Sequence, residues 1–319
     1  MIKEIFKKSW EVTWKNKFLW LFGLLIFLFS QGGEVNLFLN NFKIIGNQLN
    51  NLLYFKNFLS NNKFSILIEN LKNSFFLHPF QVFIFLFFCF IIIISIIFIN
   101  LSSQGGMIYC SKKLFQNKKS DFKEGFIIGI KNFWALLEIF ILNNLLILAS
   151  FLIFVLPFVA LFIKNSSPQW FFTALLLFLL VFLPINVFIY IITRFSYCYL
   201  IIKNNKPLNS IKNSFKLFLK NWLFILKIIF LLFFIYFISL TLITILLFLI
   251  NLPIILIGMI LNYIISFNLF WFIIIFDLFL IIALSLTIIS ILTTFKYNLL
   301  VNLFNELIVD KKVDKMGKI

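Results

Sequence analysis

Three ionisable residues fall inside stretches of sequence that are otherwise apolar: Glu138, Lys227 and Asp277. Such a charge costs about 2.5–3.5 kcal/mol on insertion scales, against about 0.3–0.6 kcal/mol gained per Leu, Ile or Phe. A Phe-rich helix therefore carries one and still inserts, and function must be argued from placement. Asp277 as a proton-coupling carboxylate would imply transport; as a helix-start or interface residue it would imply nothing. Glu138 lies six residues after Asn132 and Lys227 six after Asn221, a match that predicts equal depth and a Glu138–Lys227 pair. The alternative is that Lys227 snorkels to the interface and Glu138 is solvated or protonated there. Asn143, Asn144 and Asn186 are candidates for hydrogen bonds between helices, and Pro157 and Pro184 for kinks.

Other chemistry is poorly provided for. No Gly-x-Ser-x-Gly elbow, Walker loop or His-Glu-x-x-His helix occurs, and the chain holds one histidine and eleven acidic residues. His78, ahead of Pro79, reads as a boundary residue and not a ligand. Cys89, Cys110 and Cys198 form no paired spacing, so no disulfide framework follows. The expectation is a protein that is no enzyme and uses no cofactor or metal.

The elements that position these residues belong in a bilayer. Of 319 residues 62% are hydrophobic and 12% charged, where a soluble domain has roughly a quarter charged. Apolar runs reach the roughly 20 residues a helix needs to cross the hydrocarbon. They lack the alternation of outer-membrane strands, so the expected fold is all-α, a polytopic helical bundle. The net charge of +17 resides on lysines beside the apolar runs. Anionic lipid headgroups, not nucleic acid, are their expected counterpart.

Expected spans are 17–33, 80–101, 133–156, 170–193, 222–247 and 270–295. Lysines cluster before the first, after the second, between the fourth and fifth and after the sixth. By the positive-inside rule both termini are cytoplasmic, in a cytoplasmic or inner cell membrane. Residues 252–267 are apolar enough to be re-entrant, interfacial or part of a seventh span.

A basic amphipathic element precedes three of the spans: Ser9-Trp10-x4-Lys15-Asn16, Gly125-Phe126-x4-Lys131-Asn132 and Ser214-Phe215-x4-Lys220-Asn221. Ile2, Ile5, Phe6, Trp10 and Trp14 share a helical face in the first. Phe122, Phe126, Ile130 and Phe133 do so in the second, and Leu208, Ile211, Phe215, Phe218 and Trp222 in the third. Each helix should lie in the headgroup plane, aromatic side down. The three asparagines should mark the turn into the membrane, since Asn tolerates left-handed backbone. Ser120 is a candidate cap for the second element and Pro207 a start for the third.

The chain thus reads as one integral membrane domain of three units, each an interfacial helix plus a transmembrane hairpin. Unit one is 1–110, unit two 111–203 and unit three 204–300, followed by a cytoplasmic tail, 301–319. An insertion at 34–79 with two amphipathic helices is either a lid or partner surface, or a loop resting on lipid. Gly105-Gly106 reads as a cytoplasmic turn.

Ser214-Phe215-x4-Lys220-Asn221-Trp222 mirrors Ser9-Trp10-x4-Lys15-Asn16-Lys17. With Lys17-Phe18-Leu19-Trp20-Leu21-Phe22-Gly23, the chain resembles a group of bacterial six-helix membrane proteins that includes the membrane domain attached to some glycerophosphodiester phosphodiesterases. Their catalytic domain has no counterpart here, so the resemblance implies a membrane module without diesterase activity. The expected role is a non-catalytic scaffold or lipid-interacting module with a possible membrane protein partner. The rival is a small-solute or lipid transporter using Asp277 and the Glu138 region.

Overall fold

The computed structural model describes residues 2–29, 79–164, 168–264 and 267–316. His78 and the insertion at 34–79, apart from Pro79, lie outside the described residues. Every element among the described residues is a helix: α1 (Ile2–Lys15), α2 (Leu19–Phe29), α3 (Pro79–Phe115), α4 (Phe122–Lys131), α5 (Phe133–Lys164), α6 (Pro168–Lys203), α7 (Pro207–Ile264) and α8 (Phe267–Met316). This is the architecture lipid demands, because a helix satisfies its backbone polar groups without water. Helices α3 and α5–α8 are long and apolar enough to cross a membrane, and α1 with α2, bent by 98° between them, make a sixth candidate. The protein is an all-α, multi-pass membrane protein.

The helices outrun the spans assigned to them. The 37 residues of α3 extend about 55 Å at about 1.5 Å per residue, against about 30 Å of hydrocarbon. Residues 252–264 continue α7 through Pro253 and form no separate element. Gly105 and Gly106 are not a turn either; both lie inside α3.

Contacts divide the chain into two compact units, residues 25–100 and the remainder. In the smaller, Asn100 Nδ2 donates to the Phe29 carbonyl at 3.1 Å, and Phe83 to Phe88 are all exposed. In the larger, the core sits in the C-terminal halves of α3, α6 and α8. Leu101–Ile108, Phe195–Ile201 and Tyr297–Phe304 are buried almost without interruption, whereas Leu145, Leu146, Phe230, Phe234, Phe276 and Phe279 face outward.

The three basic elements all end at their asparagines, but not through left-handed backbone. Asn132 has φ −98° and ψ 9°, and Asn221 breaks α7 at φ −125° and ψ 26°. Each asparagine Nδ2 instead donates to the carbonyl four residues back: Val12 at 2.9 Å, Ile128 at 2.9 Å and Leu217 at 3.3 Å. The side-chain amide adds a donor to a last-turn carbonyl. Positive φ occurs at Asn117 (57°) and Asn204 (52°), which follow α3 and α6 and terminate them. Pro207 opens α7 as expected, whereas the N-cap residue of α4 is Asp121 and not Ser120, and it makes no side-chain cap bond.

Candidate functional site

The one arginine of the chain organises the core of the larger unit. Arg194, half-buried on α6, donates from Nη1 to Gln104 Oε1 on α3 at 2.6 Å and to Tyr297 Oη on α8. Its guanidinium carbon lies 4.8 Å from the Tyr190 ring, 5.0 Å from Tyr297 and 6.0 Å from Tyr197. Lys296 Nζ takes a place 5.0 Å from the Tyr190 ring as well. Arginine suits this position because its planar fork serves two acceptors while stacking on aromatic faces. One side chain therefore joins α3, α6 and α8 where the three are most deeply packed.

A second polar network attaches α1. Ser111 Oγ on α3 donates to Asn298 Oδ1 at 2.6 Å, and Asn298 Nδ2 donates to Thr13 Oγ1 at 2.8 Å. Asn302 Nδ2 reaches the Ile5 carbonyl at 3.1 Å and Ser9 Oγ at 3.3 Å. One turn further along, Thr294 Oγ1 donates to the Leu19 carbonyl at 3.2 Å and Ser290 Oγ to that of Trp20. These groups are buried and mutually satisfied, which is the condition for a polar core to add rigidity.

Helix α4 docks through glycine. A Cβ at Gly129 would stand 1.9 Å from the Ser102 carbonyl oxygen, and one at Gly125 would stand 2.3 Å from Cys110 Sγ. Gly106 answers from α3, where a Cβ would meet the Gly125 carbonyl oxygen at 2.8 Å. Backbones this close admit no side chain between them. At the rim, Lys113 pairs with Glu124 at 2.5 Å and Tyr109 Oη donates to the same carboxylate oxygen at 2.9 Å. Lys113 first, then Tyr109, holds the Glu124 carboxyl below its ordinary range. The start of α7 packs on α6 edge to face, with Phe188 4.7 Å from Phe218 and 5.9 Å from Phe215.

Of the residues singled out in the sequence, Ser9, Gly125 and Ser214 are buried at the docking faces, while Trp10, Phe215, Lys15, Lys131 and Lys220 are exposed and Phe126 is half-buried. Ile5 and Phe218, expected on the membrane side, turn inward. Glu138 and Lys227 are both exposed, and no ion pair joins them among the described residues. Each sits on the outward side of its own helix. Asp277 is buried. Asn143 bonds across helices as expected, accepting from Thr193 Oγ1 at 2.5 Å, whereas Asn186 turns back to its own helix at the Phe182 carbonyl. The three cysteines are free, and no cluster of metal-ligating side chains occurs among the described residues.

Reading charges within spans missed Arg194 and its partners. The available signal was a run near the end of α6, Thr193-Arg194-Phe195-Ser196-Tyr197-Cys198, which returns in the C-terminal half of α8 as Thr293-Thr294-Phe295-Lys296-Tyr297-Asn298. Tyr109-Cys110 occupies a similar place near the end of α3. The arrangement is built to hold helices: its hydroxyls, amides and guanidinium bond to one another. No family model, curated protein or solved structure matches this chain.

Proposed function

We propose that this protein is a non-catalytic scaffold or lipid-interacting module of the cytoplasmic membrane, built from three units of one interfacial helix and one transmembrane hairpin. Its partners are anionic headgroups on the cytoplasmic side, where both termini lie. The observation that carries the reading is which side of the basic helices faces out. In α1, Trp10 and Trp14 are 48% and 51% exposed and stack on each other, with Lys7, Lys8 and Lys15 exposed beside them, while Ser9 and Thr13 are buried. At the start of α7, Phe215, Leu219 and Trp222 are exposed among Lys212, Lys216 and Lys220, while Ser210 and Ser214 are buried. In α4, Ile127 and Ile130 are exposed with Lys123 and Lys131, over buried Gly125 and Gly129.

A helix that buries small polar residues and offers its aromatics beside lysines is arranged for a surface that is apolar below and anionic above. The earlier resemblance to six-helix membrane modules agrees with this reading. Each lysine near an anionic surface contributes about 1 kcal/mol. Replacing Lys7, Lys8 and Lys15 with Gln should therefore reduce the phosphatidylglycerol that stays bound through purification, measured by native mass spectrometry, without changing bound phosphatidylcholine. Equal loss of both lipids, or loss of neither, would end the proposal. Accessibility tags near Lys118 and Lys212 should be labelled only after the inner membrane is permeabilised.

A further inference from the structure

We propose that Asp277, with the amide oxygen of Asn251 on α7, holds a monovalent metal cation between α7 and α8. The reading does not depend on the scaffold proposal, because a held ion can serve structure alone. Asp277 is 6% exposed although Ile275, Phe276, Leu278 and Phe279 around it are all exposed. Its side chain therefore turns from the lipid side toward the bundle. Its Oδ1 has no hydrogen-bond partner among the described residues. A buried carboxylate oxygen without a donor is expensive, and in an apolar span no water is at hand to relieve it.

The register of the helix pair shows what faces it. Tyr236 Oη on α7 donates to the Leu292 carbonyl on α8 at 2.9 Å. The two helices run antiparallel, so the residue fifteen positions after Tyr236 lies near the level of the residue fifteen positions before Leu292. Those residues are Asn251 and Asp277. Asn251 brings an amide oxygen. The carboxylate and the amide oxygen therefore stand at about the same level of the helix pair.

A set of oxygen atoms suits a hard cation. Charge selects its valence. One carboxylate neutralises a monovalent ion, whereas a divalent ion would leave an uncompensated charge in a medium of low dielectric. Sodium and potassium are the ions that fit this description.

The full-length chain in lipid nanodiscs would be melted in NaCl, KCl and choline chloride at equal ionic strength. The midpoint should be higher by about 3 °C or more in NaCl or KCl than in choline chloride, rising to saturation with the ion. Asp277→Asn should abolish the difference and Glu138→Gln should leave it intact. Asn251→Leu should raise the half-saturating concentration several-fold, which keeps the question answerable if Asp277→Asn fails to accumulate. Equal midpoints in the three salts would overturn the proposal. So would a difference that survives Asp277→Asn, or a midpoint that follows pH and ignores the metal ion.

Discussion

The two ends of the larger unit are held by different physics. Around Arg194, Asn298 and Gly129 the contacts are polar or backbone to backbone, and side chains are buried. Away from that layer, Leu145, Leu146 and Phe151 on α5, Phe230 and Phe234 on α7, and Phe276 and Phe279 on α8 point outward. Lipid tails are as apolar as leucine, so apolar burial supplies little drive for helices to associate there. What fixes helices must then be what lipid cannot replace: hydrogen bonds of defined geometry and approaches too close for any tail. The difference implies that the outward halves tolerate exchange among apolar residues, whereas the basal layer does not.

Arg194 offers the strongest way to break that contrast. A hydrogen bond to a charged group is worth roughly 1.5–3 kcal/mol, and Arg194→Ala removes those to Gln104 and Tyr297 together with the stacking on three tyrosines. The variant should fail to accumulate or should lose monodispersity in detergent, while Phe230→Leu, on an exposed stretch of α7, should behave as wild type. Arg194→Lys should recover little, because an ammonium cannot serve both acceptors in one plane. If Phe230→Leu were as harmful as Arg194→Ala, the distinction between the layers would be lost.

Gly129 sharpens the same contrast with a smaller change. A methyl group there meets the Ser102 carbonyl oxygen, an atom of the α3 backbone, so the helices must separate. Overpacking of this kind costs about 1–3 kcal/mol. Ile127→Ala, on the exposed side of the same short helix, should stay within about 0.5 kcal/mol of wild type. Thermal midpoints of the two variants in one detergent would compare the inner and outer sides of α4 directly.

Much of this layer was legible in one dimension. A lysine, then asparagine, five residues after an aromatic located each helix break, because the features that end a helix lie within one turn of it. The cause of the break was not legible: side-chain capping at Asn16, Asn132 and Asn221 replaces the left-handed backbone expected there. Asn117 and Asn204, which do take positive φ, stood out less because no aromatic spacing announces them. Arg194 was hidden for a different reason. It sits where a span was expected to end, among other cations, and its partners lie 90 and 103 residues away. Glu138 and Lys227 show the converse error, since matching depth in two spans says nothing of which way each helix is turned. Gly105-Gly106 reads as a turn in one dimension because glycine serves both turns and close packing, and only the position of α4 tells the two apart.

Glu124 gives the gentlest probe, at the rim of the same layer. Its carboxyl is held below the ordinary range by Lys113 and Tyr109, so the folded form binds its proton less readily than the unfolded chain does. The stabilisation is therefore complete above the ordinary carboxylate pKa and is lost as pH falls through the lowered one. The Glu124 side chain is 41% exposed, and screening keeps the effect the smallest of the three. Melting midpoints of wild type and Glu124→Gln should differ at neutral pH and converge on acidification. Raised salt should narrow the neutral-pH gap, while leaving the deficit of Gly129→Ala unchanged. A Glu124→Gln deficit that ignored both pH and salt would place the carboxylate among the geometric contacts of the interior, and the boundary of the layer would have to be drawn outside it.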